Sequence, residues 1–286
     1  MLVKLKFLSL PFISCAPLCS PCLCVKIFFM TTRQTPAIVL QVRDYGEADR
    51  LVNFLTPDAG RVTGIAKHAK KSRRRFANCL EPLNRVIFHL APKPRGDLEF
   101  IQQGELVESF SNLRRDLRQL AAAAVLAELA GELSTPPETT AIIFRTLNQA
   151  LTHLDAGADP DSLLPPFLLH LLQLGGYGPQ WGTCRECGRE PVPPLHFSLP
   201  RGGVICGACS RAASGPLLPL NPGTWKLLRL AAELPLEKLT RLRFPPAQRD
   251  QSLAILQNFL RHHLGRNLKS WAFWQKMARA AAGSGD

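Results

Sequence analysis

Negative charge is scarce in this chain. Its 286 residues include 22 Asp or Glu against 35 Arg or Lys, for a formal net charge of +13. That balance disfavours basic ligands and favours an anionic partner, nucleic acid or an acidic membrane surface. It carries no information about fold. Also lacking is an unbroken run of about 20 apolar residues, which a spanning helix needs. The N-terminal apolar stretch is interrupted by Pro11, Pro17 and Pro21. No His-x-Glu precedes the cysteine motifs, so the zinc-deaminase signature is missing. No internal repeat occurs, and no nucleophile with an adjacent acid/base pair stands out.

The first 29 residues carry three lysines, four cysteines and no acid. Lys4 and Lys6 ahead of an apolar stretch suggest a signal peptide, but no small-x-small cleavage site follows. Ordered patterning begins only after Met30, so residues 1–29 are expected to be an extension from a misplaced start codon. Without them the net charge is still +10, thirteen minus three lysines. No other targeting signal is visible, and a reducing cytoplasmic location is expected. Paired cysteines there are metal ligands more often than disulfides.

What is present divides into a basic β module, an acidic centre and a basic end. "AIVLQV" (37–42), "RLVNFLT" (50–56), "RVTGIAK" (61–67), "RVIFHLA" (85–91) and "LEFIQQGEL" (98–106) read as five short strands. Turns are expected at 57–60 and 93–97. Five closely spaced antiparallel strands suit a small closed barrel such as an OB-fold, with an open sheet or an SH3-like barrel as alternatives.

Helical spacing follows over 112–133, 138–154 and 162–174, then 222–233, 248–264 and 268–281. Ser111 or Asn112 is expected to cap the first, and Pro136-Pro137 to stop it. Residues 121–165 hold six acids and one base, whereas 241–279 hold eight Arg or Lys and one acid. The expected class is α+β: a five-stranded barrel at 30–110, then a helical domain at 111–286 with a metal finger at 184–209.

The finger is "CRECGREPVPPLHFSLPRGGVICGAC". Cys184-x2-Cys187 and Cys206-x2-Cys209 are two knuckles separated by 18 residues. Gly188 and Gly207 follow a cysteine in each pair and permit backbone conformations that other residues resist. Two such knuckles give a tetrahedral S₄ site, which suits one structural zinc ion. A redox dithiol would use one such motif at a strand-to-helix junction. A catalytic zinc needs an open position, which four thiolates do not leave. His196 is a substitute ligand within the loop.

From Arg61 to Arg75 there are seven cations and no acid: Arg61, Lys67, Lys70, Lys71, Arg73, Arg74 and Arg75. They repel one another unless an anion answers them, and a basic barrel rim tracks nucleic acid. The β module has no tryptophan, so phosphate contacts with little sequence preference are expected. A second basic surface is expected around His262, His263, Arg266 and Lys269, beside apolar Leu264, Trp271 and Phe273. Arg266 and Lys269 are the candidate partner contacts there, cations around an apolar patch that suit an acidic partner.

Several stretches occur in the order found in one family. They are Lys67–Ser72, Leu80-Glu81-Pro82, Asp97-Leu98, Glu105-Leu106 and Phe110-x2-Leu113-x2-Asp116. Gly176-Tyr177-x-Pro179, the cysteine pairs, Phe197-Ser198, Gly202-Gly203, Leu264-Gly265-Arg266 and Lys269-Ser270 follow. Over about 36–277 the sequence resembles the bacterial recombination mediators of the RecO family. Residues 1–29 depart from it.

The resemblance implies an OB-fold, then a helical domain enclosing the zinc finger, and no catalytic residues. It implies binding of single- and double-stranded DNA and annealing of complementary strands. It also implies engagement of single-strand binding protein and, with RecR, loading of RecA onto coated strands. The rival reading is a zinc-containing nucleic-acid enzyme or transcription regulator.

Overall fold

The computed structural model describes residues 32–72, 74–91, 98–134 and 137–282. The N-terminal extension, Arg73 and the expected turn at 93–97 lie outside them.

Five strands form a closed barrel in the order β1-β2-β3-β5-β4. They are β1 (Arg33–Tyr45), β2 (Asp49–Thr56), β3 (Gly60–Ala66), β4 (Arg85–Ala91) and β5 (Glu99–Glu108). Closure depends on the 13-residue β1, longer than the sequence pattern suggests. Its first half, Arg33 to Ile38, pairs with β4, and its second half, from Ile38, pairs with β2. A register shift between Val39 and Gln41 bends it between the two partners. β3 and β5 pair in parallel and seal the remaining edge. This is the OB-like topology, and it excludes the open sheet.

The apolar run Ala37-Ile38-Val39 is buried throughout because β1 has a core on each side. Ala37 and Val39 join Val52, Phe54, Val86, Phe88 and Ile101 inside the barrel. The Phe54 and Phe88 rings meet edge to face at 4.9 Å. Ile38 and Leu55 point outward into the helical core. The β2–β3 turn ends at Gly60 with φ +64°, and a Cβ there would lie 2.5 Å from the Ser134 carbonyl oxygen. Glycine is therefore needed twice over, for the turn and for the approach of barrel to helices.

The helical part comprises α1 (Leu117–Leu133), α2 (Pro137–Asp155), α3 (Pro160–Leu174), α4 (Gly207–Ser210), α5 (Pro222–Glu233), α6 (Pro246–Leu264) and α7 (Lys269–Ala282). α1 is central, packed against α2, α3 and α7. Its start differs from expectation. A 3₁₀ turn occupies Leu113–Arg115, and Asp116 caps α1 by accepting from the Arg118 and Gln119 N–H groups. Asn112 instead donates its N–H to Asp155. Pro137 does not end a helix but opens α2, because the first turn needs no amide donor. α6 ends where Gly265 takes φ +67°.

Within the cysteine segment the structure adds three short strands that the sequence pattern did not show. These are β6 (Leu195–Ser198), β7 (Gly203–Cys206) and β8 (Leu217–Leu220), in the order β7-β6-β8. Phe197 stacks on Trp181 at 5.2 Å and meets Phe259 of α6 edge-on at 5.7 Å. The Trp225 indole N–H reaches the Trp181 carbonyl at 2.8 Å. One face of the small sheet thus belongs to the helical core.

Candidate metal centre and nucleic-acid interface

The other face of the small sheet has few apolar groups. On β7, Val204 packs into the helical core, while Ile205 faces a cluster with Cys184 and Cys206. That cluster is too small to hold a sheet face by area alone. The thiols supply what is missing. The Sγ atoms of Cys184, Cys187, Cys206 and Cys209 all lie within 4.8 Å of one another. Cys206 is 3.3 Å from Cys209 and 3.9 Å from Cys187. Four sulfurs about 2.3 Å from a tetrahedral ion would sit roughly 3.8 Å apart, so the set fits a metal of that kind.

Local backbone geometry builds both knuckles. The Arg185 N–H donates to the Val204 carbonyl, tying the first knuckle to β7, and Gly188 returns an N–H to the Cys184 carbonyl. Gly188 takes φ +71° as expected. Gly207 does not need an unusual backbone; it starts α4, and a Cβ there would lie 2.5 Å from Pro194 Cγ. Burial raises the Cys184 thiol pKa, but the N–H groups of Cys187, Cys206 and Glu186 outweigh it and bring it to about 6. Cys184 thus favours thiolate before any cation arrives, whereas hydrogen bonding with Cys206, burial and the neighbouring thiols push Cys209 up to about 12, so a bound cation would have to displace that proton. His196 is not one of the four, and its Nδ1 has no hydrogen-bond partner among the described residues.

The seven cations of the basic run have different surroundings. Arg61 turns away toward α1, where its Nη1 meets Glu132 at 2.9 Å. Lys70 reaches Asp44 and the Gly46 carbonyl, both at 3.1 Å. Arg75 donates to the Lys67 carbonyl and lies 5.3 Å over the Phe76 ring. Lys67, Lys71 and Arg74 are exposed, with no acidic partner among the described residues. Lys67 alone has a ring below it, Phe100 at 5.8 Å. Arg73 lies outside the described residues. Arg43 on β1 is a further exposed cation, invisible as a site in sequence because it stands alone in a strand.

The expected partner surface is also partly occupied from within. Arg266 meets Glu132 at 2.9 Å and Glu128 at 3.6 Å. Glu128 accepts the Lys269 and Ser270 N–H groups and the Ser270 hydroxyl, capping α7 from α1. Burial raises the Glu128 pKa, but those donors and Arg266 hold it below the usual carboxylate range. Trp271 is a core residue at 3% exposure, not a pocket wall, while Leu264 and Phe273 pack partly exposed against the same core. The Lys269 residue is exposed. The structuring role of Glu128 and Glu132 has no short-range signal, because their partners lie 71 or more residues away in the chain.

Known proteins align with these two regions. Residues 30–110 match the family "Recombination protein O N terminal", and residues 114–272 match "Recombination protein O C terminal". The DNA repair protein RecO of Pelotomaculum thermopropionicum is 34% identical over 90% of this chain and 98% of its own. The one from Myxococcus xanthus is 37% identical over 83% of this chain and 94% of its own. That from Syntrophus aciditrophicus is 31% identical over 84% of this chain and 93% of its own. Among the described residues no helix is long and apolar enough to cross a membrane. With the barrel, the helical domain and the cysteine cluster in register with both matches, the chain belongs to the RecO family of DNA repair and recombination proteins.

Proposed function

We propose that this protein is a non-enzymatic mediator of recombination. It binds single- and double-stranded DNA and anneals complementary strands. The observation that carries the reading is the exposed set Lys67, Lys71 and Arg74 on one excursion of a closed barrel, none of them paired with an acid among the described residues. Phosphates are the natural counter-charge. By neutralising them the barrel lets two strands approach without full repulsion. Arg75, held by the Lys67 carbonyl, stiffens the excursion.

One zinc ion on Cys184, Cys187, Cys206 and Cys209 would supply folding free energy to the finger, and no step of annealing passes through it. The helical end serves protein partners. The acidic tail of single-strand binding protein would meet Lys269 first and compete with Glu128 and Glu132 for Arg266. RecR, and through it RecA, complete the loading reaction, in the cytoplasm on nucleoid DNA.

The test is annealing of complementary strands by the full chain without ATP or added divalent ions. Faster pairing that is abolished by high salt supports the mediator. Strand cleavage, or binding confined to one sequence, supports the enzyme or regulator instead. For the partner surface, Lys269→Glu should weaken binding of an acidic tail peptide about fivefold, near the value of one exposed charge contact. Unchanged peptide affinity would move that surface elsewhere.

A further inference from the structure

The excursion between β3 and β4 does more than display cations. Beneath it lies a cleft of about 370 Å³ lined by Arg50, Ser72, Phe76, Asn78, Leu80 and Glu81. That is the small end of the range for clefts that hold small ligands. Its apolar side is fixed: Phe76 is 5% and Leu80 4% exposed. The excursion itself is pinned at several points. The Gly104 N–H reaches the Arg75 carbonyl at 2.9 Å, and the Asn84 amide reaches the Asn78 carbonyl at 2.7 Å. The Arg75 N–H reaches the Ser72 hydroxyl at 3.2 Å.

The polar side has unused capacity. Arg50 pairs with Asp44 through its buried Nε at 3.6 Å, and its Nη groups make no hydrogen bond among the described residues. Glu81 is exposed, with no cation bound to it among the described residues. The cleft therefore has a largely buried apolar floor of Phe76 and Leu80, with a guanidinium and a carboxylate among its lining groups. Lys71 and Arg74, both exposed, flank Ser72 in the chain. Cations outside and mixed donors and acceptors inside are the complement of a nucleotide, with phosphate on the first and base in the second.

We infer that the cleft takes one unstacked nucleobase of a bound single strand, guanine before the others. The O6 and N7 acceptors of guanine match a guanidinium, and its amino group supplies a donor for a carboxylate. Adenine presents an amino group beside N7, where Arg50 requires a second acceptor. Extrusion costs least from an unpaired strand, so the cleft serves single-stranded DNA and not duplex. One held base would fix the strand while its neighbours stay free to pair. This rests on the proposed DNA binding and adds a base contact to it.

The experiment uses the full chain and fluorescence anisotropy on short oligothymidine strands. Each strand carries one central guanine, adenine or abasic residue, and each is titrated over a range of salt. The guanine strand should bind about tenfold tighter than the abasic one, the value of one well-placed base contact. Glu81→Gln should remove the advantage of guanine over adenine. Ala77 also lines the cleft, and Ala77→Trp, which places a ring there, should remove the advantage of guanine over the abasic residue. Equal affinity of the parent protein for all three strands, with a clear salt dependence, overturns the cleft and leaves phosphate-directed binding standing. Absence of any salt-dependent strand binding overturns the proposed function and the cleft with it.

Discussion

The run from Arg61 to Arg75 and the run from Arg241 to Arg279 are alike in composition and unlike in surroundings. In the second, acids of the central helical block come back to meet the cations. Glu128 and Glu132 of α1 hold Arg266, and Asp161 at the start of α3 holds Arg249 at 3.5 Å. Asp161 is 7% exposed and also pairs with Arg118, so it ties α1, α3 and α6 together. In the first run the counter-charges take Arg61 and Lys70 and leave the middle to solvent. A density of like charge along a sequence is thus not a surface. It becomes one only where the fold brings no acids to it. The pairing assigns Arg249 and Arg266 of the second run to assembly of the fold, and it leaves Lys67, Lys71 and Arg74 of the first exposed for the strand binding proposed above.

Removing the metal would sharpen this comparison with the largest effect. Chelation, or Cys206→Ser, should unfasten the finger face, whose buried residues are Cys184, Ile205 and Cys206 with Cys209, Ala213 and Leu217 packed against them. Structural zinc sites carry on the order of 10 kcal/mol of apparent binding free energy, so the melting temperature should fall by many degrees. The salt slope of strand binding should stay, because the strand contacts proposed above are on the barrel. Metal content and calorimetry check the first claim, and anisotropy checks the second. A metal-free preparation with an unchanged melting point would remove the finger from the stability argument.

Next in size is the barrel itself. Lys67, Lys71 and Arg74 changed together to Ala should reduce the log–log salt slope for single strands by roughly 2, from three contacts at about 0.7 each. At 0.1 M salt that is about a 100-fold loss of affinity. Arg61→Ala should leave the slope nearly unchanged, since its guanidinium already belongs to Glu132. A larger slope change from Arg61 than from the triple variant would invert the comparison.

A smaller effect tests the C-terminal run. Glu128→Ala leaves the Lys269 and Ser270 N–H groups without their acceptor and Arg266 with one carboxylate in place of two. A cost of about 1–3 kcal/mol is expected, read by denaturant unfolding. Strand affinity should not fall. A variant as stable as the parent would show that α7 docks by apolar packing alone.

The smallest effect is in acid. The Glu128 carboxyl lies below its ordinary value when folded. Its contribution is therefore complete above the usual carboxylate pKa of about 4.3 and is lost as pH falls through the lowered folded value. Glu128→Gln should flatten that part of the stability profile. An acid limb that is identical in parent and variant would assign it to other carboxylates.

Much of this was legible in the sequence, for local reasons. The strand at 85–91 alternates one residue in and one out, and its buried positions are Val86, Phe88 and Leu90. Two cysteine pairs of fixed spacing make knuckles whatever surrounds them, and their thiols do converge. The cap of α1 was misplaced because Ser111, Asn112 and Asp116 all have capping side chains. Only the 3₁₀ turn at 113–115, held by Asp155 from the end of α2, selects Asp116. The strands of the finger escaped notice because each has four residues among prolines and glycines, too few to show a period.

By itself, then, the chain determined the barrel strands and long helices, the two cysteine knuckles and the excess of positive charge. These depend on side-chain period, on spacing within a few residues and on net charge. Tertiary structure alone decided which cations remain free. Arg61 is 71 residues from Glu132, and Lys269 is 141 from Glu128, so no local pattern links them. Tertiary structure alone also set Arg50 of β2 beside Phe76 and Glu81 of the excursion, around a space that only a folded barrel encloses. Coulomb attraction and cavity shape depend on distance through space, and the sequence records only distance along the chain.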